Sequence, residues 1–555
     1  MKNQFDVVLF GGGLAGLTLG LQLIKSNPEI SVLILEKREG NAPDSAHKVG
    51  ESTVELGTHY LRETLDLKNY LDKKQLPKHG LRFFLSPHQK EKIDKRVELG
   101  PREPLPVPSH QIDRGTFEND LVEMVKTCGI QVVLGAKVTS VNLEPSLKTT
   151  TYTLDSQEHI VKSRWVVDAT GRNSFLKRKL NLKKTLDHGI NAAWFRIKGE
   201  IDVDDWADNK KWASYLSLGL RRLSTIHFMD VGYWVWFIPL ATGNTSVGIV
   251  ADPTIHSFES YNKLDKAFEW FKKNEPIIYE NLIDRKKDVI DFRVLKHFAH
   301  SCEKLFSADK WALTGDSGLF LDPFYSPGTD FIALNNTFIC DLILRDLKGE
   351  DIDLRLRIFE QTHYSLFENW VPVYQKKYKL WGKTQTMVLK IFWDWAVYWA
   401  VPTLLFTNHG YTNIMVLRDL FAKEDAVGEK FGRLNQQMQK VFLEWGEFDN
   451  KKFESRYVDP FDVPFLQDFH RGIDEKHSPK KLVQKVNGNV FLLEQIAVEM
   501  FKLMSHNVYG SSKDITVNPY TMSLSKKPID DSSGIRVEEK ISKDVALMWF
   551  YSDEA

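Results

Sequence analysis

Three glycines close to the N-terminus, Gly11, Gly13 and Gly16, stand at the GxGxxG spacing that brings a peptide backbone against a pyrophosphate. Gly11 permits the tight turn out of a strand, Gly13 leaves room for phosphate oxygens, and Gly16 lets the next helix lie close to the sheet. The first turn of that helix, which contains Ala15, presents unpaired N–H groups and the positive end of its dipole to the phosphates. Glu36, about twenty residues on, can accept hydrogen bonds from an adenosine ribose. A glycine-rich turn alone also fits an ordinary strand-to-helix connection. Here the apolar strand Phe5 to Phe10, the helix, a second strand Ser31 to Leu35 and the acid occur in the order a dinucleotide site requires.

Two later runs belong to the same sheet. Trp165 to Gly171 ends Asp-Ala-Thr-Gly, and Lys310 to Asp316 ends Thr-Gly-Asp, so permissive backbone and a carboxylate reach the carboxyl edge where open α/β sheets bind ligands. Between them, Trp194 to Ile197, Leu223 to Met229, Tyr233 to Pro239 and Thr245 to Val250 read as an antiparallel sheet. A helix runs from about Arg114 to Cys128 and two short strands fill Gln131 to Val141, while the charged, proline-rich residues 86 to 109 read as surface loop. Ser52 and Thr53 have the chemistry of helix N-caps before an amphipathic stretch that ends near Leu71. The expected fold is α/β: a Rossmann-type nucleotide-binding domain in two parts, 1–186 and 300–350, an inserted antiparallel sheet on the substrate side, 187–299, and a helical C-terminal region, 351–555.

Bulk properties remove several function classes. Lys+Arg and Asp+Glu both number 74, so nothing in the net charge draws the chain to nucleic acid, and local basic pairs such as Lys376-Lys377 read as solvated faces. The three cysteines, Cys128, Cys302 and Cys340, have no metal-ligand or redox spacing, which implies no structural metal and a reducing compartment, the cytoplasm. The first strand starts almost at residue 1, which leaves no room for a cleavable signal peptide. Met387 to Phe406 is aromatic and aliphatic, but Lys390, Asp394 and Pro402 interrupt it. Intramembrane charge is costly, so it reads as a buried or pocket-covering helix, with peripheral membrane contact as the alternative.

Taken together, the N-terminal glycines, the Asp-Ala-Thr-Gly strand and the late Gly-Asp resemble the FAD-dependent monooxygenases of the p-hydroxybenzoate hydroxylase type. The resemblance gives Asp316 the ribityl or ribose side of FAD, Arg114 the start of a helix that contacts FAD, and Val138 a place beside the adenine. Within that group, Trp234-Val235-Trp236-Phe237-Ile238-Pro239 reproduces the WxWxIP motif of flavin-dependent halogenases, and Phe320 to Gly328 reproduces their Fx.Px.SxG motif, which includes Ser326. Val49-Gly50-Glu51-Ser52-Thr53 is similar to their segment against the flavin. The resemblance covers about residues 1 to 350.

Strand periodicity places Trp234, Trp236 and Ile238 on one face, with Pro239 at the end of the strand. In the family such a wall separates flavin from substrate, so oxygen activated at the flavin attacks halide instead of the substrate. A tryptophan-rich core strand has the same pattern. The N–H groups of Gly328 and Thr329 can form a small site for chloride or bromide, whereas Pro327 has no N–H to give. By resemblance, Lys78 is the lysine that receives hypohalous acid. It is followed by Leu81, Arg82 and Phe83 as in the family, although Lys73 and Lys74 are close by. Tryptophan halogenases carry glutamate where this chain has Tyr325, which shifts the expected substrate to an electron-rich phenol or pyrrole, free or tethered to a carrier protein. No second GxGxxG element for a nicotinamide coenzyme is present, so a separate flavin reductase is the expected partner. The alternative is an FAD-dependent aromatic monooxygenase or oxidoreductase that does not halogenate.

Overall fold

The computed structural model describes residues 3–43, 48, 50–217, 219–423, 426–510 and 515–551, and statements of absence below refer to these residues. Val49 of the segment against the flavin lies outside them. The N-terminal strand Gln4–Phe10 pairs in parallel with Val32–Glu36 on one side and Gln157–Asp168 on the other, so that Phe10 sits opposite Leu35 and Asp168. Trp311–Leu313 extends the parallel set beyond Asp168. Because these strands run the same way, Gly11, Glu36, Ala169 to Gly171 and Thr314 to Asp316 all emerge at one edge, and both faces of the sheet are apolar, as Val7, Val8, Leu9 and Phe10 show by being fully buried. Gly11 has φ +107°, and a Cβ there would lie 2.4 Å from the Ala169 carbonyl oxygen. A Cβ on Gly16 would lie 2.1 Å from the Gly11 carbonyl oxygen, so the turn and the helix Leu14–Ser26 close only with glycine at both positions.

The second sheet has eight strands, and its centre is the four antiparallel strands Asn191–Ile197, Thr245–Ala251, Tyr233–Pro239 and Thr225–Asp230. Side chains alternate on Tyr233–Pro239. Trp234, Trp236 and Ile238 face the core shared with the nucleotide-binding sheet, and Tyr233, Val235 and Phe237 face a separate core under the helices Leu264–Asn274 and Pro276–Leu282. The sheet is not confined to residues 187–299. Leu81–Phe84 joins it parallel to Thr225–Asp230, Val97–Leu99 follows, and Arg456–Val458 from the C-terminal region completes it.

The expectation of surface loop over 86–109 is therefore corrected at Arg96 to Leu99, all buried. Arg82 donates to Glu98 at 2.7 Å and Arg221 donates to the same oxygen at 2.9 Å, while Arg96 pairs with buried Glu275. These charges are inside because they are matched. Lys377 is also corrected: it is buried, whereas Lys376 is exposed.

After the helix Gly328–Leu347 the chain is mostly helical, with Asp353–Tyr374, Thr384–Tyr398, Val427–Trp445 and Pro479–Tyr509 the main pieces. Every residue of Thr384 to Val397 is buried, and the Lys390 ammonium meets Asp394 at 2.6 Å inside the protein. Among the described residues no helix is long and apolar enough to cross a membrane.

Candidate active site

The carboxyl edge of the nucleotide-binding sheet opens into a cleft of about 1010 Å³. Gly11, Gly13, Ala15, Glu36, Ser52, Arg114, Val138 and Asp316 all line it, and Gly16 lies beneath the turn. The helix Leu14–Ser26 starts at Gly13 with no side-chain cap, which leaves its first N–H groups for a ligand. A Cβ on Gly13 would approach only side-chain atoms, the Lys48 ammonium at 3.3 Å and a Glu118 carboxylate oxygen at 4.0 Å, so the space above this glycine is not filled by protein backbone. The Glu36 carboxylate is held in place by N–H donation from Gly12 at 2.6 Å and Arg38 at 2.9 Å. Lys48 and Arg114 both pair with buried Glu118, and Arg114 also donates to the Gly50 carbonyl at 3.3 Å. Burial pushes the Asp316 carboxyl up, opposed by the positive charges of Arg114, Arg172 and Lys48. An open glycine turn, an unsatisfied helix start, an acid at the strand end and surrounding cations are the features that a dinucleotide with two phosphates and a ribose needs, so the residues fit FAD.

Ser52 and Thr53 do not cap a helix. The helix Glu55–His59 starts after Val54 without a side-chain cap, and Ser52 instead shares a 2.8 Å hydrogen bond with Thr225. Thr53 turns its carbonyl oxygen to Lys78, whose Nζ donates to it at 2.7 Å.

The far wall of the cleft is the tryptophan strand. Trp234, Trp236 and Ile238 line it, and Pro239 ends the strand just beyond. Trp236 donates to Ser246 at 3.1 Å and Trp234 to the Tyr378 hydroxyl at 3.2 Å, and Tyr378 in turn donates to Asp322 at 2.8 Å. Gly248 on the neighbouring strand makes room for the wall, since a Cβ there would fall 2.2 Å from the Trp236 ring.

Lys78 is not in this cleft. It lies on the short strand Leu76–Lys78 and lines a second, smaller cavity with Glu55, Asp330, Tyr325 and Tyr398 and the rings of Trp370, Trp395, Trp399 and Phe461. The segment from Tyr325 to Asp330 divides the two spaces. Ser326, Gly328 and Thr329 face the cleft, Tyr325 and Asp330 face the second cavity, and Pro327 lines both. Tyr325 and Ser326 have φ of +69° and +59°, so two consecutive non-glycine residues are held in a left-handed conformation that costs energy. A Cβ on Gly328 would meet no protein atom within 4 Å, and Gly328 and Thr329 are the first residues of a 20-residue helix, with N–H groups that have no acceptor in the preceding turn.

Burial strips water from the Lys78 ammonium and brings its pKa down to about 7, against the pull of Glu55 and Asp330. Burial likewise brings Asp330 up to about 7, while the Tyr398 hydroxyl, donating at 2.8 Å, and the Gly57 N–H, also at 2.8 Å, act in the other direction. Glu55 behaves differently: against its desolvation, the hydrogen bond and charge of His470, 3.3 Å away, hold it below its ordinary value. Lys73 and Lys74, the nearby alternatives, are exposed.

Sequence reasoning missed Glu55, Asp330, Tyr398 and Asp394. Asp330 directly follows Gly328 and Thr329, so a carboxylate beside the signature helix was a usable signal. Tyr398 and Asp394 come from residues far along the chain, and no local pattern ties them to Lys78.

A family description, "FAD binding domain", matches residues 4–226. The chain is 29% identical over 395 residues to flavin-dependent halogenase chlA of Dictyostelium discoideum, a match that covers 64% of this chain and 62% of that protein. It is 27% identical to a 1H-pyrrole-2-carbonyl-[peptidyl-carrier protein] brominase of Pseudoalteromonas luteoviolacea, covering 63% of this chain and 79% of the relative. Among solved structures, halogenase PltM in complex with phloroglucinol and FAD aligns with a TM-score of 0.61 at 16% identity, over 88% of this chain and 96% of the other. The flavin-dependent brominase Bmp2 aligns with a TM-score of 0.54 at 22% identity, over 68% of this chain and 87% of the other. These structural likenesses are of fold, and the first of them covers enough of the chain to reach into the C-terminal region.

Proposed function

We propose that the chain is a flavin-dependent halogenase and that it halogenates a small, electron-rich phenol using reduced FAD, oxygen and chloride or bromide. The observation that carries this reading is the partition: one segment, Tyr325 to Asp330, has the flavin cleft on one side and a buried lysine on the other. When bound in the cleft as its reduced form, FAD supplies the oxygen activation that converts halide to hypohalous acid. Gly11, Gly13, Ala15 and the helix start hold the pyrophosphate, Glu36 holds the adenosine ribose, Val138 lies beside the adenine, and Ser52, Arg114 and Asp316 orient the rest. The Gly328 and Thr329 N–H groups hold the halide, and Trp234, Trp236, Ile238, Pro239 and Ser326 keep the aromatic substrate away from the flavin.

Lys78 receives the oxidised halogen on the other side of the partition. An amine that is neutral in an appreciable fraction at neutral pH hydrogen-bonds hypohalous acid or is halogenated by it, and an ammonium does neither well. The substrate ring lies among Trp370, Trp395 and Trp399. A free ring is favoured because the C-terminal region supplies much of the aromatic lining of this cavity, and because a solved neighbour that aligns over most of both chains is described with phloroglucinol. A second reading, a pyrrole on a carrier protein, is favoured by the substrates in the names of two relatives. Reducing equivalents come from a separate flavin reductase, and the enzyme works in the cytoplasm.

The test is incubation with a flavin reductase, NADH, oxygen and bromide or chloride, with free phenols in one arm and carrier-bound pyrrole in another, followed by mass spectrometry. Halide-dependent halogenated phenol is the expected product. A hydroxylated product that forms equally without halide would show a monooxygenase instead.

A further inference from the structure

We propose that Asp330 is the acid–base partner of Lys78, giving a proton to the lysine nitrogen as halogen leaves it and then taking the proton that the aromatic ring releases. This inference rests on the halogenase reading above and assigns a residue that the sequence motifs do not.

The chemistry creates the need. Neutral Lys78 and hypohalous acid give an N-haloamine and water: the N–X bond forms, the O–X bond breaks, and the amine proton leaves with the hydroxide. Transfer to the ring then breaks N–X and forms C–X. The lysine nitrogen must gain a proton to end as an amine, and the ring must lose one to regain aromaticity. One carboxyl group that first donates and then accepts balances both events, and no other reactant is required.

Three carboxylates line the Lys78 cavity. Asp394 of the helix Thr384–Tyr398 accepts from the Lys390 ammonium at 2.6 Å, the Tyr325 hydroxyl at 2.9 Å and Gln439 at 2.7 Å, so although burial pushes its carboxyl up, both its oxygens are already engaged by a cation and two donors. Glu55 of the helix Glu55–His59 is held ionised by His470 of the helix Pro464–Gly472. Asp330 has no cationic hydrogen-bond partner. Its oxygens accept from the Gly57 N–H and the Tyr398 hydroxyl, both neutral, and Lys78 is the positive group whose charge reaches it. The titratable groups that face it are Glu55, Lys78 and Tyr398, with Tyr374 of the helix Asp353–Tyr374 across the cavity. Glu55 disfavours its ionisation and Lys78 favours it, so a halogenated, uncharged Lys78 leaves Asp330 more readily protonated than an ammonium would. The protonated form is thus more populated in the state that needs it.

The test uses the full FAD-loaded chain with a flavin reductase and compares wild type, Asp330→Asn and Tyr398→Phe. Asparagine keeps an amide oxygen for the Gly57 N–H, so the helix contact survives while the acid is lost. Asp330→Asn is expected to oxidise halide at the wild-type rate, to lose ring halogenation by about 100-fold, and to accumulate halogen on Lys78, detected by peptide mass spectrometry. Tyr398→Phe removes a hydrogen bond that favours the ionised form, so the high-pH limb of the rate profile is expected to move to higher pH. Wild-type ring halogenation and no retained halogen in Asp330→Asn would overturn the proposal. If that variant fails to bind FAD, an unmoved high-pH limb in Tyr398→Phe overturns it equally. A wild-type enzyme that halogenates nothing would instead contradict the reading of function on which this one stands.

Discussion

On the proposed reading the buried Lys78 amine reacts because burial has taken its water away, and that decides what substitutions at this position should do. Lys78→Arg is not expected to restore halogenation, because a guanidinium stays protonated and is a poor nucleophile. Product formation in the wild type should rise through about pH 7 as the ammonium loses its proton, and should fall again as Asp330 ionises over the same range. The two limbs belong to the coupled pair, and a rate that stayed flat from acid to alkaline pH would count against both assignments. Gly13→Val should abolish FAD retention, measured as flavin recovered after gel filtration, because its side chain would occupy the space above the turn. These residues were legible from spacing and motif context. Asp330 offered only its place directly after Gly328 and Thr329, because its proposed role depends on burial and on which neighbours lack charge, neither of which a one-dimensional pattern records.

At the scale of elements, alternation along Tyr233–Pro239 was readable as two faces, but not that each face belongs to a different core. Gly248→Ala tests the wall as a packed object: with 2.2 Å to the Trp236 ring, the added methyl must push the indole aside, at a cost of about 1–3 kcal/mol. The expected signs are a lower melting temperature and some oxidised halogen or hydroxylated product escaping the normal route. An unchanged melting temperature and product pattern would mean the indole is not held where the structure puts it. The strand Val97–Leu99 was missed because Arg96 and Glu98 carry the composition of a surface loop. Each is buried against a partner from another segment, and pairing between distant residues is invisible locally. Glu98→Ala leaves Arg82 and Arg221 buried with a partner removed, so it should cost about 3–5 kcal/mol in chemical denaturation. A loss well below 1 kcal/mol would mean that water reaches the pair.

For the whole molecule, the C-terminal region supplies much of the lining on the proposed substrate side. It contributes Trp370, Trp395, Tyr398, Trp399 and Phe461 to the Lys78 cavity and Arg456–Val458 to the substrate-side sheet. Its helical content was evident from the sequence, but its task was not, since helical periodicity says which face is buried and not against what. A chain ending at residue 350 should therefore lose halogenation and expose the core that the helix Thr384–Tyr398 covers, seen as aggregation on expression. The central claim, that oxidised halogen reaches the substrate by way of Lys78, is tested most directly by Lys78→Ala beside the exposed control Lys74→Ala, each loaded with FAD and supplied with reductase, oxygen and bromide. In Lys78→Ala, flavin binding and halide oxidation should persist while brominated product falls by orders of magnitude, and Lys74→Ala should match the wild type. Undiminished bromination in Lys78→Ala, or equal losses in both variants, would contradict it.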